Sequence, residues 1–229
     1  MEQTPQSERR TATKKLVSFA LSEVERKYGK GQGDGLTPLK YHNLRHSQDI
    51  LWAGQQLADL AVKNGKISQN DVDLIEIATA SHDIEQGLGG GTNELGSARI
   101  IEEKMRKAQV FTEVDIGRVK KMILATTVYF KDGVMKQSAT DDYLTQIVAD
   151  ADLAHLGRES EIYWDRTESL LKEMKKTDNP SPEDKLTFMK SQPTFLENHK
   201  FYTEEAKQLF PHKQANIAFV QAKIQQENL

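Results

Sequence analysis

Cysteine is absent from this chain, which excludes disulfide bonds and any chemistry that needs a thiolate. The chain also lacks an apolar run long enough to cross a membrane. Residues 1–15 are polar and lack the apolar centre of a secretory signal. These absences fit a reducing compartment, so we expect a cytoplasmic protein without a membrane partner.

Neither sign of charge dominates the composition. The 31 lysines and arginines oppose 34 aspartates and glutamates, for a formal net charge of −3. Proteins that bind a nucleic-acid backbone are generally basic, so we expect no partner of that kind. With 229 residues the chain is long enough for one domain with a sizeable core. The composition leaves the oligomeric state open.

Strand-like alternation is almost absent, and apolar residues recur at helical spacing along most of the chain. We predict an all-α protein with a flexible N-terminal tail over residues 1–10 and one helical domain over 11–229, whose C-terminal helices pack on the core. The predicted helices are a first one ending near residue 28, and others over 44–64, 71–85, 94–109, 113–130, 156–176, 182–198 and 202–227, together with one that Asp141 or Asp142 caps and that runs through Leu153.

Glycine and proline separate these helices. Residues 29–38 carry four glycines and one proline, which predicts a loop. Residues 87–91 form a glycine-rich break, and residues 132–133 (DG) predict a turn. Thr92 or Asn93 could cap the helix that follows the glycine-rich break.

Three separate segments contain residue types that bind metal ions. They read YHNLRH at 41–46, HD at 82–83 and ADADL at 149–153, and they hold three of the six histidines of the chain. At about 100° per residue, His46 heads the buried stripe of its helix and His82 ends the buried stripe of the next one. Asp150 and Asp152 lie on opposite edges of a third stripe, so periodicity does not choose between them.

The alternative for each histidine alone is an ordinary core residue bonded to a carbonyl or a carboxylate. Burying two histidines and a carboxylate at three helix positions is costly unless each finds a partner, and one cation would satisfy all of them. Two imidazoles and two carboxylates suit manganese, iron, cobalt, nickel, magnesium or zinc. Such an ion activates water, so the pattern favours a hydrolase.

At these residues the chain resembles the HD superfamily of metal-dependent phosphohydrolases. The family order of His, His-Asp and Asp is matched by His46, by His82-Asp83 and by Asp152. A group of small predicted HD phosphohydrolases is similar over nearly the whole chain. Class I cyclic-nucleotide phosphodiesterases are similar at 41–50 and 82–85, and their Ala-Asp-Leu matches residues 151–153, which selects Asp152 over Asp150.

The resemblance implies a helical HD fold with one tightly held divalent metal. Its implied ligands are His46, His82, Asp83 and Asp152. Asp83 could bridge to a second, weaker metal, and His42 would be the general acid that protonates the leaving oxygen. The chain departs from the phosphodiesterases in being shorter and in reading ATTVYF at 125–130, where they have an Ala-Thr-Asp segment with a histidine soon after.

Several polar residues near these motifs are further candidates. Glu85 could orient a water or a ligand histidine, as a second catalytic residue, although a solvated charge at a helix end is the simpler interpretation. Arg45, Asn93 and Glu94 are predicted to bind substrate. Thr92 and Asn93 offer donors at a helix N-terminus that could help to hold a phosphate.

Other residues have mainly structural alternatives. His42 could instead make a structural hydrogen bond that fixes the start of its helix. His155 could line the site, whereas His199 and His212 have the pattern of ordinary tail residues. The charges at 172–176 are interpreted as a solvated helix face. The glycine-rich stretch lacks the Gly-Lys-Ser/Thr ending of a P-loop, so we expect a rim loop there.

The leading hypothesis is an enzyme, a metal-dependent phosphohydrolase that acts on a small phosphorylated metabolite, with a nucleotide as the expected substrate. The first alternative is a 3′,5′-cyclic-nucleotide phosphodiesterase. The second is a non-catalytic nucleotide-sensing module that keeps the metal site, and a purely structural metal is a further possibility.

Overall fold

A computed structural model of the protein describes residues 5–29, 38–89, 91–131, 134–139 and 141–227. Within these residues the elements are, in chain order, α1 (Pro5–Tyr28), α2 (Leu44–Lys63), α3 (Gln69–Ser81), α4 (Thr92–Ala108), α5 (Glu113–Ala125), β1 (Val128–Lys131), β2 (Val134–Gln137), α6 (Tyr143–Asp152), a short 3-10 helix (Ala154–Gly157), α7 (Ser160–Met174), α8 (Pro182–Asn198), α9 (Glu204–Leu209) and α10 (Lys213–Glu227). The prediction of an all-α protein is confirmed.

The central element is α3. Its residues from Val72 to Ser81 are all buried, and it packs against α1, α2, α5 and α6. A helix that is buried on every side has no solvated face for charged side chains, yet α3 carries Asp73 and Glu76 on one side. Both carboxylates form ion pairs with arginines of α1, which covers that side.

The C-terminal helices form a second apolar cluster. Tyr163, Leu196 and Val220 pack together from α7, α8 and α10, and Leu156 joins them from the 3-10 helix. A Cβ atom on Gly157 would lie 2.1 Å from a backbone oxygen, so this close approach of chain segments requires glycine. The short helix α9 belongs instead to the main core, where Ala206 is buried and the helix packs against α2 and α6.

The predicted helix over 113–130 is wrong beyond residue 125. The chain leaves α5 at Ala125, and Val128–Lys131 pairs antiparallel with Val134–Gln137. The run TTVYF is rich in β-branched and aromatic residues, which favour a strand over a helix. The predicted turn at 132–133 lies outside the described residues.

The N-terminal segment also differs from the prediction of a flexible tail over 1–10, because α1 begins at Pro5. Proline is well tolerated in the first turn of a helix. The side chains of Arg9 and Arg10 then bind carboxylates of α3, which anchors this end of the helix. Polar composition alone does not reveal such long-range ion pairs.

Some helix ends differ as well. The helix predicted over 71–85 ends at Ser81, and the segment 202–227 forms two helices with a break that includes Pro211. The helix after the glycine-rich break begins at Thr92. Its N-cap is Gly91, whose φ of 75° favours glycine, so neither Thr92 nor Asn93 caps it. The predicted loop over 29–38 lies mostly outside the described residues.

In the described part of the chain, no helix combines the length and the apolarity needed to span a membrane.

Candidate metal centre

The first turn of α2 places His46. Asn43 is the N-cap, and its side-chain oxygen accepts hydrogen bonds from the backbone of Arg45 and His46. The helix then buries the stripe that begins with His46 and Ile50. His46 is only 3% exposed, as the periodicity predicts.

His82 lies at the C-cap of α3 and is 2% exposed. Its Nδ1 lies 2.9 Å from the carbonyl oxygen of Thr79. Because a carbonyl oxygen can only accept a hydrogen bond, we assign the proton to Nδ1. The lone pair of Nε2 is therefore available to a metal, which is the usual arrangement of a ligating histidine.

Four predicted ligands converge at one point. Nε2 of His82 lies 3.1 Å from Oδ2 of Asp83 and 3.5 Å from Oδ1 of Asp152. Nε2 of His46 lies 3.3 Å and 3.7 Å from the same two oxygens. Ligands about 2.1 Å from one ion are about 3 Å from their nearest neighbours. Each histidine nitrogen is thus spaced from both carboxylate oxygens as neighbouring ligands of one cation are.

Two of these four atoms lack a polar partner. Within the described residues, Nε2 of His82 and Oδ2 of Asp83 are buried without a hydrogen-bond partner. Buried polar atoms without partners are costly, and a cation between them would satisfy both. The residues present therefore fit a metal ion, and the histidine and aspartate cluster is able to hold one.

The carboxylates are charged as ligands must be. Burial raises the pKa of Asp152, but the imidazoles of His46 and His82 outweigh burial and lower it to about 2. Burial also raises the pKa of Asp83, but the neighbouring histidines, mainly His82, outweigh burial. The pKa of Asp83 is therefore held well below its usual range. Burial lowers the pKa of His82, but Asp83 and Asp152 outweigh burial and raise it well above its usual range. A divalent cation bound at His82 would therefore displace a proton from its ring.

Asp150 is not part of this cluster. Its carboxylate accepts hydrogen bonds from the backbone of Tyr202 and Thr203 and from the hydroxyl of Thr203, each at 2.7–2.8 Å. Thr203 is in turn the N-cap of α9. Asp150 therefore orients the α6–α9 junction, which agrees with the choice of Asp152 as the ligand.

His42 lies beside the ligands and is held by Glu173 of α7. Its Nδ1 is 2.5 Å from Oε1 of Glu173, whose other oxygen accepts from the backbone of Tyr41 and His42. One ligand atom from each of His42, His46 and Asp83 lies within 4.8 Å of the others. Burial lowers the pKa of His42, but Glu173 outweighs it and the net shift is upward.

Glu173 is a residue that the sequence interpretation missed. The charges at 172–176 were predicted to form a solvated face, yet the Glu173 side chain is only 17% exposed. No local signal distinguishes it from its charged neighbours, because its partners lie 131 and 132 residues away in the chain.

A chain of amides supports Asp83. Nε2 of Gln86 donates to Oδ1 of Asp83 at 2.7 Å, and Nδ2 of Asn93 donates to Oε1 of Gln86 at 3.2 Å. Oδ1 of Asn93 accepts from the backbone of Leu88 at 2.8 Å. Asn93, predicted to bind substrate, thus holds the glycine-rich loop and indirectly a metal ligand.

Three other predicted site residues lie around the cluster. Glu94 has a buried Oε2 without a hydrogen-bond partner in the described part, and burial together with Asp83 raises its pKa. Glu85 forms an ion pair with Lys27 of α1 and packs against Gly96 rather than joining the ligands. Arg45 is 64% exposed and pairs with Asp165 at 3.0 Å.

A cavity of about 720 Å³ opens beside the cluster. Its lining includes Asp152, His42 and His155, in agreement with the predicted position of His155. Its remaining wall is mainly apolar and includes Phe188 and Phe195 of α8. None of the described residues that line it is a lysine or an arginine.

A scan against models of protein families finds no match to this chain, and a search of curated proteins finds no significant relative.

Proposed function

We propose that the chain is a metal-dependent phosphohydrolase of the HD type. Its substrate would be a small phosphorylated metabolite, with a nucleotide as the leading candidate. The observation that carries the proposal is the convergence of two histidines and two aspartates, with two unpartnered buried atoms, beside a cavity large enough for a nucleotide.

The ligands of the ion would be His46, His82, Asp83 and Asp152. A divalent cation held there supplies acidified water and neutralises charge on a phosphoryl oxygen. The residues of the chain then have separate tasks. The two aspartates balance the charge of the cation, and the apolar wall of the cavity excludes water from the organic part of the substrate.

His42 would donate the proton that the leaving oxygen needs. Nδ1 is engaged by Glu173, so Nε2 is the nitrogen that remains for the substrate. The upward shift of the His42 pKa keeps the ring protonated closer to neutral pH, which suits a general acid. Arg45 would contact substrate only from the protein surface, since its side chain is exposed and paired with Asp165.

The lining of the cavity favours a substrate with few charges. A triphosphate needs several cationic partners, and the described lining offers neither lysine nor arginine. A substrate with one phosphate and an uncharged ring system would match the apolar wall. The same observation favours the second candidate, a 3′,5′-cyclic-nucleotide phosphodiesterase, because a cyclic diester carries a single negative charge.

The test is hydrolysis of a panel of nucleoside mono-, di- and triphosphates, cyclic nucleotides and generic phosphodiesters, with added manganese, nickel, cobalt or magnesium. The His82→Ala variant removes a ligand. The matched control is His212→Ala, which removes an exposed histidine that belongs to none of the metal clusters. Metal content is measured on each purified protein.

We expect metal-dependent cleavage that His82→Ala loses together with bound metal and that His212→Ala retains. Free phosphate as product would identify a phosphatase, and a nucleoside monophosphate from a cyclic substrate would identify the phosphodiesterase. If folded, metal-loaded protein cleaves nothing, the proposal is wrong. Nucleotide binding without turnover would then indicate a sensing module, and loss of thermal stability alone on chelation would indicate a structural metal.

A further inference from the structure

The hairpin of β1 and β2 brings a buried amide to the metal cluster. Gln137 is the last residue of β2 and is 6% exposed. Its Nε2 donates to the carbonyl oxygen of Ala149 at 3.0 Å and to Oδ2 of Asp152 at 3.4 Å. Burying an amide without partners is unfavourable, so these two acceptors account for the position of Gln137.

Strand geometry explains why Gln137 points inward. Alternate residues of a strand share a face, and Met135 and Gln137 are both buried whereas Lys136 between them is exposed. Met135 packs with Leu153 in the C-terminal apolar cluster. The base of the hairpin is closed by a hydrogen bond of 3.0 Å from the backbone of Ser138 to Thr127.

Asp152 and Asp83 are supported in the same way. Each has one oxygen near the two imidazoles, and its other oxygen accepts from a glutamine amide, Gln137 for Asp152 and Gln86 for Asp83. An amide is a neutral donor. It fixes the rotation of a carboxylate without cancelling the charge that attracts a cation, which a lysine or an arginine would do.

We propose that Gln137 is a positioning residue for Asp152, and that the hairpin contributes to the metal centre through Gln137. The inference rests on the metal site of the proposed function but does not need the hydrolytic activity.

The hairpin also contacts the cavity. Val128 and Met135 both line it, and Val128 is the direct cross-strand partner of Gln137. Because Met135 and Gln137 share one face of β2, the packing of Met135 against Leu153 helps to set where the Gln137 amide lies. Residues that orient metal ligands in this manner typically contribute about 10- to 100-fold to metal affinity.

The first test is manganese affinity, measured by calorimetric titration of the full-length protein. Gln137→Met keeps the length of the side chain and removes the donor, and it should weaken manganese binding by about 10- to 100-fold. The visible spectrum of the cobalt-loaded protein should change as well, because it reports the ligand geometry. The matched control Lys136→Met alters the outward-facing neighbour and should change neither measurement.

A second variant covers the case in which Gln137→Met does not fold. Gln137→Asn keeps a neutral amide at this position and shortens the side chain by one methylene, so it should fold with the amide drawn away from Asp152 and bind manganese more weakly. If Gln137 only anchors the hairpin, the manganese affinity should be unchanged in both variants, and that result would overturn the proposal. Thermal unfolding of each variant establishes that it is folded.

The part played by the hairpin is tested by a double-mutant cycle. Met135→Ala should weaken manganese binding when Gln137 is present and add little in the Gln137→Met background, because both changes act through the same contact. Additive effects would refute the coupling. Manganese binding that depends on Gln137 without any hydrolysis would leave this inference standing and refute only the proposed enzyme function.

Discussion

The pair of His42 and Glu173 shows how one contact selects among the roles open to a histidine. By sequence alone, His42 could be a general acid or a structural residue that fixes the start of α2. The structure ties its Nδ1 to Glu173, and the same carboxylate holds the backbone of residues 41 and 42. His42 is therefore both anchored and oriented, with one ring nitrogen remaining beside the cluster.

Replacement of His42 by alanine tests its role. We expect His42→Ala to lower kcat by about 10²- to 10⁴-fold, the usual contribution of a positioned general acid. Metal content, measured on the purified variant, should stay at the wild-type level because the variant retains all four proposed ligands, His46, His82, Asp83 and Asp152. Loss of the metal would show instead that His42 is a ligand or is needed for the fold.

At the scale of elements, α1 and α3 depend on each other. Asp73 and Glu76 are 3% and 5% exposed, and such carboxylates need partners. Arg10 pairs with both, and Arg9 reaches Asp73 and Asp115 of α5. The start of α1 therefore stabilises the central helix, whose C-terminal end presents His82.

Removal of Arg10 should destabilise the protein. Arg10→Ala leaves Glu76 with fewer charged donors, and we expect a loss of about 2 kcal/mol in the free energy of unfolding, measured by urea denaturation. The matched control is Lys107→Ala, which breaks an ion pair between side chains that are 67% and 65% exposed. Exposed pairs contribute well under 1 kcal/mol, so equal losses in both variants would contradict this account.

At the scale of the whole molecule, the candidate site lies where two parts of the chain meet. The proposed metal ligands belong to α2, to the end of α3 and to the end of α6. The apolar wall of the cavity comes largely from α7, α8 and the hairpin. The N-terminal core would thus hold the ion, and the C-terminal helices would hold the organic part of a substrate.

His199 affects the stability of the whole fold in acid. It is 5% exposed, and neither ring nitrogen has a hydrogen-bond partner within the described residues. Burial, reinforced by the charge of Lys213, lowers its pKa to about 3. In the unfolded chain this histidine becomes protonated below about pH 6.5, whereas in the folded protein it stays neutral down to about pH 3. The free energy of unfolding therefore falls as the pH falls through that range.

We therefore expect His199→Leu to lessen the loss of stability in acid. At pH 5 the variant should avoid a penalty of about 2 kcal/mol, while near pH 7.5 this contribution is absent. The measurement is the melting temperature as a function of pH for both proteins, with His212→Leu as the exposed control. A pH profile of His199→Leu parallel to that of the wild type would show that His199 does not cause the acid sensitivity.

The sequence by itself determined the helical class, the buried positions of His46 and His82, and the residue types of the candidate metal cluster. These features depend on periodicity and on local chemistry, which neighbouring residues carry. The end of α5 was missed because the helical pattern was extended into TTVYF, where local strand preference prevails.

Only the tertiary structure decided the remaining features. It assigned Asp150 to the junction with α9, 52 and 53 residues away in the chain, and paired Glu85 with Lys27, 58 residues away. It also placed Gln137 against Asp152 and Glu173 against His42. Each of these contacts joins residues of ordinary polar character from distant segments, and periodicity describes only the face of one element, not the element that packs against it.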